Sequence, residues 1–240
     1  MPQRRRSLAY RLLRGASVLL VGWLALLALA VVALRWIDPP TTAFMLRDRL
    51  RAFATGEHDY QFRHEWRDWS AISKHAAIAV VAAEDQAFPV HRGFDLRQID
   101  RALADRERGR RMRGASTITQ QVAKNLFLWP GQSWFRKGLE AGLTVLIELA
   151  WSKQRILEVY LNIAEFGRGT WGIEAASQRY FHQSAARLAP AQAALLAAVL
   201  PSPLRLRANA PSPYVLRRQN WILQQMRALG GPGALDLLAN

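Results

Sequence analysis

The chain has 240 residues, half of them hydrophobic, enough to bury a substantial core and too apolar for a disordered polypeptide. Lys and Arg outnumber Asp and Glu by 33 to 18, a formal charge of +15, which calls for a polyanionic partner: nucleic acid, an anionic membrane surface or a phosphate-bearing substrate. Cysteine is absent, which excludes disulfide frameworks and thiolate metal sites.

Arg4, Arg5, Arg6, Arg11 and Arg14 precede GASVLLVGWLALLALAVVAL, residues 15–34, a run without charge. About 20 apolar residues rising 1.5 Å each span the ~30 Å hydrocarbon core of a bilayer. The sequence therefore divides into a basic N-terminus (1–14) and a transmembrane anchor (15–36). By the positive-inside rule the N-terminus is cytoplasmic and everything after Arg35 lies on the outer side. A cleaved signal peptide is the competing reading, because Ala28-Leu29-Ala30 mimics a cleavage site, but its apolar region would be unusually long. With the working part outside the cytoplasm, nucleic acid is not the expected partner.

The stretch DPPTTAF (38–44) is a proline-broken exit from the anchor, and 45–70 mixes Arg with Phe, Tyr and Trp. Residues 37–70 read as a linker and membrane-interface segment, or equally as a surface linker with a few core aromatics. From 71 to 240 the pattern is mainly α-helical, with helices expected over 72–83, 99–106, 117–126, 134–150, 154–163, 172–180, 190–199 and 214–229. Alternating strand patterns are scarce. PGQS (130–133) and the Pro-rich 201–213 are loops.

Chemistry is suggested first by EDQAFPVHRGFD, residues 84–95. Glu84 and Asp85 directly follow the apolar run 78–83, and a carboxylate placed against apolar surface has its basicity raised unless it is paired. In GASTITQQVAKN (114–125), Thr117 and Gln120 fit a capping box that opens a helix. Ser116, Gln120 and Lys124 then recur at i+4, with Gln121 and Asn125 beside them. That polar ridge is either a solvated helix face or a set of donors for sugar and phosphate oxygens. In 136–162, the first of two helices is expected to bury Leu139, Leu143, Leu146 and Ile147. Arg136, Lys137 and Glu140 lie within one turn and read most simply as a surface ion-pair cluster, while Glu148 and Glu158 read as structural. GRGTWGIEAASQRYF (167–181) is a Gly-rich turn and small-residue helix suited to close packing. The five histidines are scattered, HEWRD (64–68) lacks the second His of a zinc protease helix, and no Lys has a Ser three residues before it, so a metalloprotease and an acylating Ser-x-x-Lys are excluded.

Taken together, these stretches resemble the peptidoglycan glycosyltransferases, a family also found as the N-terminal module of bifunctional penicillin-binding proteins. Glu84, Asp85, Phe88, His91, Gly93 and Asp95 are similar to its first signature, and Gly114, Ser116 to Gln121, Lys124 and Asn125 to its second. RKGLE (136–140), ILEVYLN (156–162) and the Gly-rich helix ending in Tyr180-Phe181 resemble the third, fourth and fifth. The single anchor, short length and missing transpeptidase look like the monofunctional biosynthetic form. Gln192 departs from the pattern, which commonly carries an acid there, and is read as a structural position.

The resemblance implies a lysozyme-like fold of two lobes around a cleft, the smaller dipping into the membrane. It implies an enzyme of the bacterial inner membrane with its catalytic domain (71–240) in the periplasm. Lipid II is the implied substrate, polymerised into linear β-1,4 glycan with release of undecaprenyl pyrophosphate; the growing strand and membrane lipids are further partners, and other wall-synthesis and division proteins could join them. Glu84 is then the base, and Lys124, Arg136 and Lys137 the cations that receive the leaving pyrophosphate. Glu140 would order these cations, hold a divalent metal (Mg or Mn) or assist departure; no cofactor is obligatory. Ser116, Gln120, Gln121 and Asn125 would bind sugar or phosphate oxygens, and Asp85, His91 and Asp95 would position the loop behind Glu84. RERGRRMR (106–113) would be a mobile basic flap. A glycan-cleaving enzyme of the same shape and a non-catalytic membrane scaffold are the alternatives.

Overall fold

The computed structural model describes residues 8–108, 116–131 and 133–239. Arg4 to Arg6, Gly114, Gln132 and residues 109–113 of the expected flap lie outside the described residues.

Helix α1 (Leu8–Ala33) is the apolar run, and among the described residues it is the one helix long and apolar enough to cross a membrane. At 26 residues it is about 39 Å long, and side chains such as Leu19 and Val21 stand bare along it. Val31, near its end, is instead buried against the rest of the protein.

Residues 37–70, expected to be a linker, contain α2 (Ala43–Ala54), capped by Thr42, whose hydroxyl accepts the Met45 N–H at 3.1 Å. Only Met45 and Ala52 of this helix are buried, so its Arg-rich window offered no continuous apolar face to read. The other helices follow the expected pattern. They are α3 (Lys74–Glu84), α4 (Leu96–Glu107), α5 (Ile118–Phe127), α6 (Trp134–Ala150), α7 (Lys153–Ile163), α8 (Ile173–Phe181), α9 (Pro190–Val199) and α10 (Pro213–Ala228).

A small sheet was not expected. Strands β1 (Arg63–His64), β2 (Glu165–Gly167) and β3 (Thr170–Trp171) lie in the order β1-β3-β2, with β3 parallel to β1 and antiparallel to β2. Two or three residues are too few to show a period of two in the sequence. Gly172, at φ +84°, stands where a Cβ would meet Asn162 O at 2.6 Å, so the glycine-rich segment is there for close packing.

Packing falls into two groups that share α7. Helix α3 lies against α9, α10 and the 3₁₀ segment Gly231–Ala239, while α5 lies against α6, α7 and α2, and α6 also runs along α1. The span Ala76–Ala82 of α3 is wholly buried, which places the C-terminal end of α3, and Glu84 with it, at the seam between the groups. Gln192 is structural: its Oε1 accepts from Ala189 N at 3.0 Å and from Gln183 Nε2 at 2.8 Å, closing the start of α9. Leu143 and Ile147 of α6 are buried as expected, but Leu146 is 38% exposed; with Val145 and Leu149 it forms an open apolar face beside the anchor.

Candidate active site

Glu84 is the last residue of α3, where the helix dipole adds negative potential to an apolar setting. Its Oε2 accepts from Gln121 Nε2 at 3.0 Å and its Oε1 lies 3.4 Å from Nη2 of Arg218 on α10. Burial raises its pKa above the ordinary glutamate range; the Gln121 hydrogen bond, Arg218 and Lys124 oppose that rise and Asp85 adds to it. Gln121 is itself held, because the hydroxyl of Tyr160, wholly buried on α7, donates to its Oε1 at 3.2 Å.

Asp85 does different work. It is buried, and its carboxylate accepts Nε2 of His91 at 2.8 and 3.0 Å and the backbone N–H of Ile118 at 3.0 Å. Gly93 N donates to Nδ1 of His91 at 3.1 Å, so Nδ1 is the accepting nitrogen and Nε2–H donates to Asp85. Gly93 has φ +84°, and a Cβ there would lie 2.7 Å from Thr144 Cγ2, so only glycine fits. Asp95 caps α4 by accepting Gln98 N at 3.0 Å. These three residues thus tie the 84–95 loop to the start of α5 and to the start of α4.

Helix α5 opens with the capping box. Thr117 Oγ1 accepts Gln120 N at 3.3 Å, Gln120 Oε1 accepts Thr117 N at 3.0 Å, and Thr117 Oγ1 donates to Gly93 O at 2.7 Å. Gln120 is buried and its carbonyl is committed to the cap, which leaves its amide nitrogen as the group free to donate. Gln121 and Lys124 point toward Glu84, Asn125 is half-buried beside Lys124, and Ser116 is exposed just before the helix.

Helix α6 supplies the cations. Ser133 caps it by accepting Arg136 N at 3.1 Å. Glu140 is 2% exposed, and its two oxygens are taken separately: Oε2 by Arg136 Nη1 at 2.8 Å and Oε1 by Lys137 Nζ. The arrangement is no surface ion pair, since Arg136 is also buried and its Nε has no partner among the described residues. Lys124 joins the halves of the site. Burial lowers its pKa, Glu140 and Glu84 raise it, and Arg136 and Lys137 lower it, which places its ammonium within the field of all four. Its Nζ also lies 5.5 Å from the ring centre of Phe44 on α2.

Glu84, Lys124, Arg136, Lys137 and Glu140 therefore come together. Sequence reading assigned no role to Arg218, in an expected helix, to Tyr160, within the ILEVYLN stretch, or to Phe44, in the proline-broken exit, and all three reach the site. Glu148 and Glu158 are structural, as expected: Glu148 accepts from Thr119 and Lys153, and Glu158 from Trp69 N and Arg155. Both oxygens of Glu140 are taken by cations, so a divalent ion at the pyrophosphate would reach this carboxylate only by displacing Arg136 or Lys137.

A single isolated base, oriented by hydrogen bonds and faced by fixed cations, suits proton removal coupled to departure of an anionic group. Comparison with known proteins agrees. A family model described as Transglycosylase matches residues 51–227. A protein from Klebsiella oxytoca called biosynthetic peptidoglycan transglycosylase is 58% identical over 224 residues, 93% of this chain and 90% of that protein. Proteins of the same name from Citrobacter koseri (57% identical; 94% and 92% covered) and Cronobacter sakazakii (52% identical; 97% and 97%) match likewise. Since the model spans every helix from α3 to α9 and these relatives cover nearly the whole chain, the protein belongs to the transglycosylase family.

Proposed function

We propose that this protein is a peptidoglycan glycosyltransferase that polymerises lipid II into linear β-1,4 glycan for the cell wall. The observation that carries the reading is a base, Glu84, held by Gln121 and Arg218, within the same electrostatic field as Lys124 and the Arg136–Lys137–Glu140 cluster. Glu84 takes the proton of the acceptor 4-hydroxyl as that oxygen attacks C1 of the donor sugar. The bond from C1 to the phosphate oxygen breaks, and its electron pair leaves with polyprenyl pyrophosphate. Lys124, Arg136 and Lys137 stabilise the charge that develops there. Attack from the opposite face inverts an α-linked donor to a β-linked product, with a sugar hydroxyl where inverting glycosidases admit water.

Glu140 keeps Arg136 and Lys137 in place and takes no proton, and no step passes through a metal. Gln121 orients Glu84, and Ser116 and Asn125, at the open side of α5, contact sugar or phosphate oxygens. Helix α1 is a single-pass anchor with its N-terminus in the cytoplasm and the enzyme on the outer side of the inner membrane, where the substrate diffuses in two dimensions. The test is the purified chain with labelled lipid II, its products sized on a gel. The reading expects strands longer than the substrate that a β-1,4 muramidase digests; unchanged substrate, or sugars released from mature wall instead, would overturn it.

A further inference from the structure

Every helix ends with carbonyl groups that lack intrahelical partners. Of the last four carbonyls of α1, those of Ala30, Val32 and Ala33 accept N–H groups of the following turn, while that of Val31 and two in the turn itself are taken up by the catalytic body. Val31 O accepts the indole N–H of Trp151 at 2.7 Å. Leu34 O accepts from Nε and Nη2 of Arg155 at 3.3 and 3.1 Å, and Ile37 O from Nη2 at 3.0 Å. Nη1 of the same arginine pairs with Asp38 at 2.9 Å and Glu158 at 2.8 Å, and its guanidinium lies 5.2 Å from the Trp66 ring centre. The Arg155 side chain is 12% exposed, and Trp151 and Val31 are buried. A cation at a helix C-terminus is favoured by the dipole, and a guanidinium fork shared among two backbone carbonyls and two carboxylates fixes direction as well as charge. None of these groups belongs to the catalytic cluster.

Their location gives them a task. Trp151 is the C-cap of α6, and Ser152 is the N-cap of α7. The anchor is therefore gripped at the corner from which α6 leads to Arg136, Lys137 and Glu140, and α7 leads to Tyr160, which holds Gln121 against Glu84. A leash would suffice to keep an enzyme near a membrane; a saturated clamp at this corner does more.

We propose that Arg155 and Trp151 are positioning residues that lock anchor and catalytic body into one rigid unit, so that the site stands at a fixed height and tilt over the bilayer. The pyrophosphate of a lipid-linked donor lies at the depth the headgroup plane dictates, and the lock brings Lys124, Arg136 and Lys137 to that depth. The functional part of this inference rests on the lipid-linked substrate proposed above; the mechanical part does not.

The chain has no cysteine, so Leu29→Cys on α1 with Tyr214→Cys on α10, both exposed positions, accepts two spin labels in the full-length protein. Pulsed-EPR distances in phosphatidylethanolamine–phosphatidylglycerol vesicles should be narrowly distributed, should broaden with Arg155→Ala, and should be intermediate with Arg155→Lys. Turnover of lipid II by Arg155→Ala should fall about tenfold in vesicles and stay within about twofold in detergent micelles, where no headgroup plane exists. Equal distance distributions, or equal losses in both media, would overturn the lock. If Arg155→Ala does not fold, Trp151→Phe, which keeps an aromatic side chain and loses the indole N–H, decides on the same two readouts. If the unsubstituted protein polymerises nothing in either medium, the proposed substrate is wrong, and the spin-label distances still decide whether the lock exists.

Discussion

Arg218 brings a guanidinium to 3.4 Å from Oε1 of Glu84 across 134 residues of chain, and also donates to Ala83 O at 3.3 Å. A cation beside a buried carboxylate favours its ionised form, which is the form a base needs. Arg218→Met should therefore raise the Glu84 pKa. The acid limb of the pH–kcat/KM profile should move to higher pH, with most loss on the acid side, and Arg218→Lys should recover part of the shift. A profile lowered uniformly at every pH would assign Arg218 a structural role only.

Asp85 and Glu84 are neighbours with opposite tasks, and stability separates them. Asp85→Ala leaves the N–H of Ile118 and Nε2–H of His91 without partners in a dry site, at a cost of about 3 kcal/mol. Denaturant midpoints should drop accordingly, with activity lost alongside. A midpoint unchanged from the parent protein would show that the loop is held by other means.

Glu140 and Lys137 should also respond unequally. Glu140→Gln strands the buried Arg136 cation, which costs about 3–5 kcal/mol. Lys137, nearly half exposed, should cost under about 1 kcal/mol when changed to Ala, yet its loss should still slow turnover by removing a cation from the leaving group. Thermal melts beside turnover on lipid II check both; a Lys137→Ala enzyme as fast as the parent would remove that residue from the leaving-group site.

Much of this site was legible because its determinants are local. The Thr117–Gln120 box and the Arg136–Glu140 turn depend on spacings of three or four residues, and the structure reproduces them. The same locality lets one residue serve two ends: Gln120 sits on the polar ridge with Lys124, and its carbonyl closes the cap. Leu146 has the periodicity of a core residue, but its face of α6 is left open beside the anchor, an environment that sequence periodicity does not distinguish from a core. Arg218 and Tyr160 were invisible because their partners, Glu84 and Gln121, lie 134 and 39 residues away, and only tertiary packing creates the pairing. The clamp on α1 was hidden for the same reason, since Arg155 and Leu34 are 121 residues apart.

Glu165, in β2, has its pKa raised to about 7 by burial, with Asp48 adding to the rise. A carboxyl whose folded pKa exceeds its unfolded value binds its proton more tightly when folded. Stability should accordingly fall as pH rises from about 4.5 to about 7, and level off above. Glu165→Gln should flatten that slope and raise the melting temperature at neutral pH by a few degrees. Melting curves of both proteins across this range check it; parallel pH dependences would contradict it.

Glu84 carries the central claim, and its substitution by glutamine is the most direct measurement. Glutamine keeps the shape and can still meet Gln121, but it takes no proton, and it removes a carboxylate that burial disfavours. The Glu84→Gln protein should melt at or above the temperature of the parent and form no detectable polymer from labelled lipid II. Polymer made at a rate near that of the parent, by a protein with an unchanged melt, would contradict the assignment of Glu84 as the base.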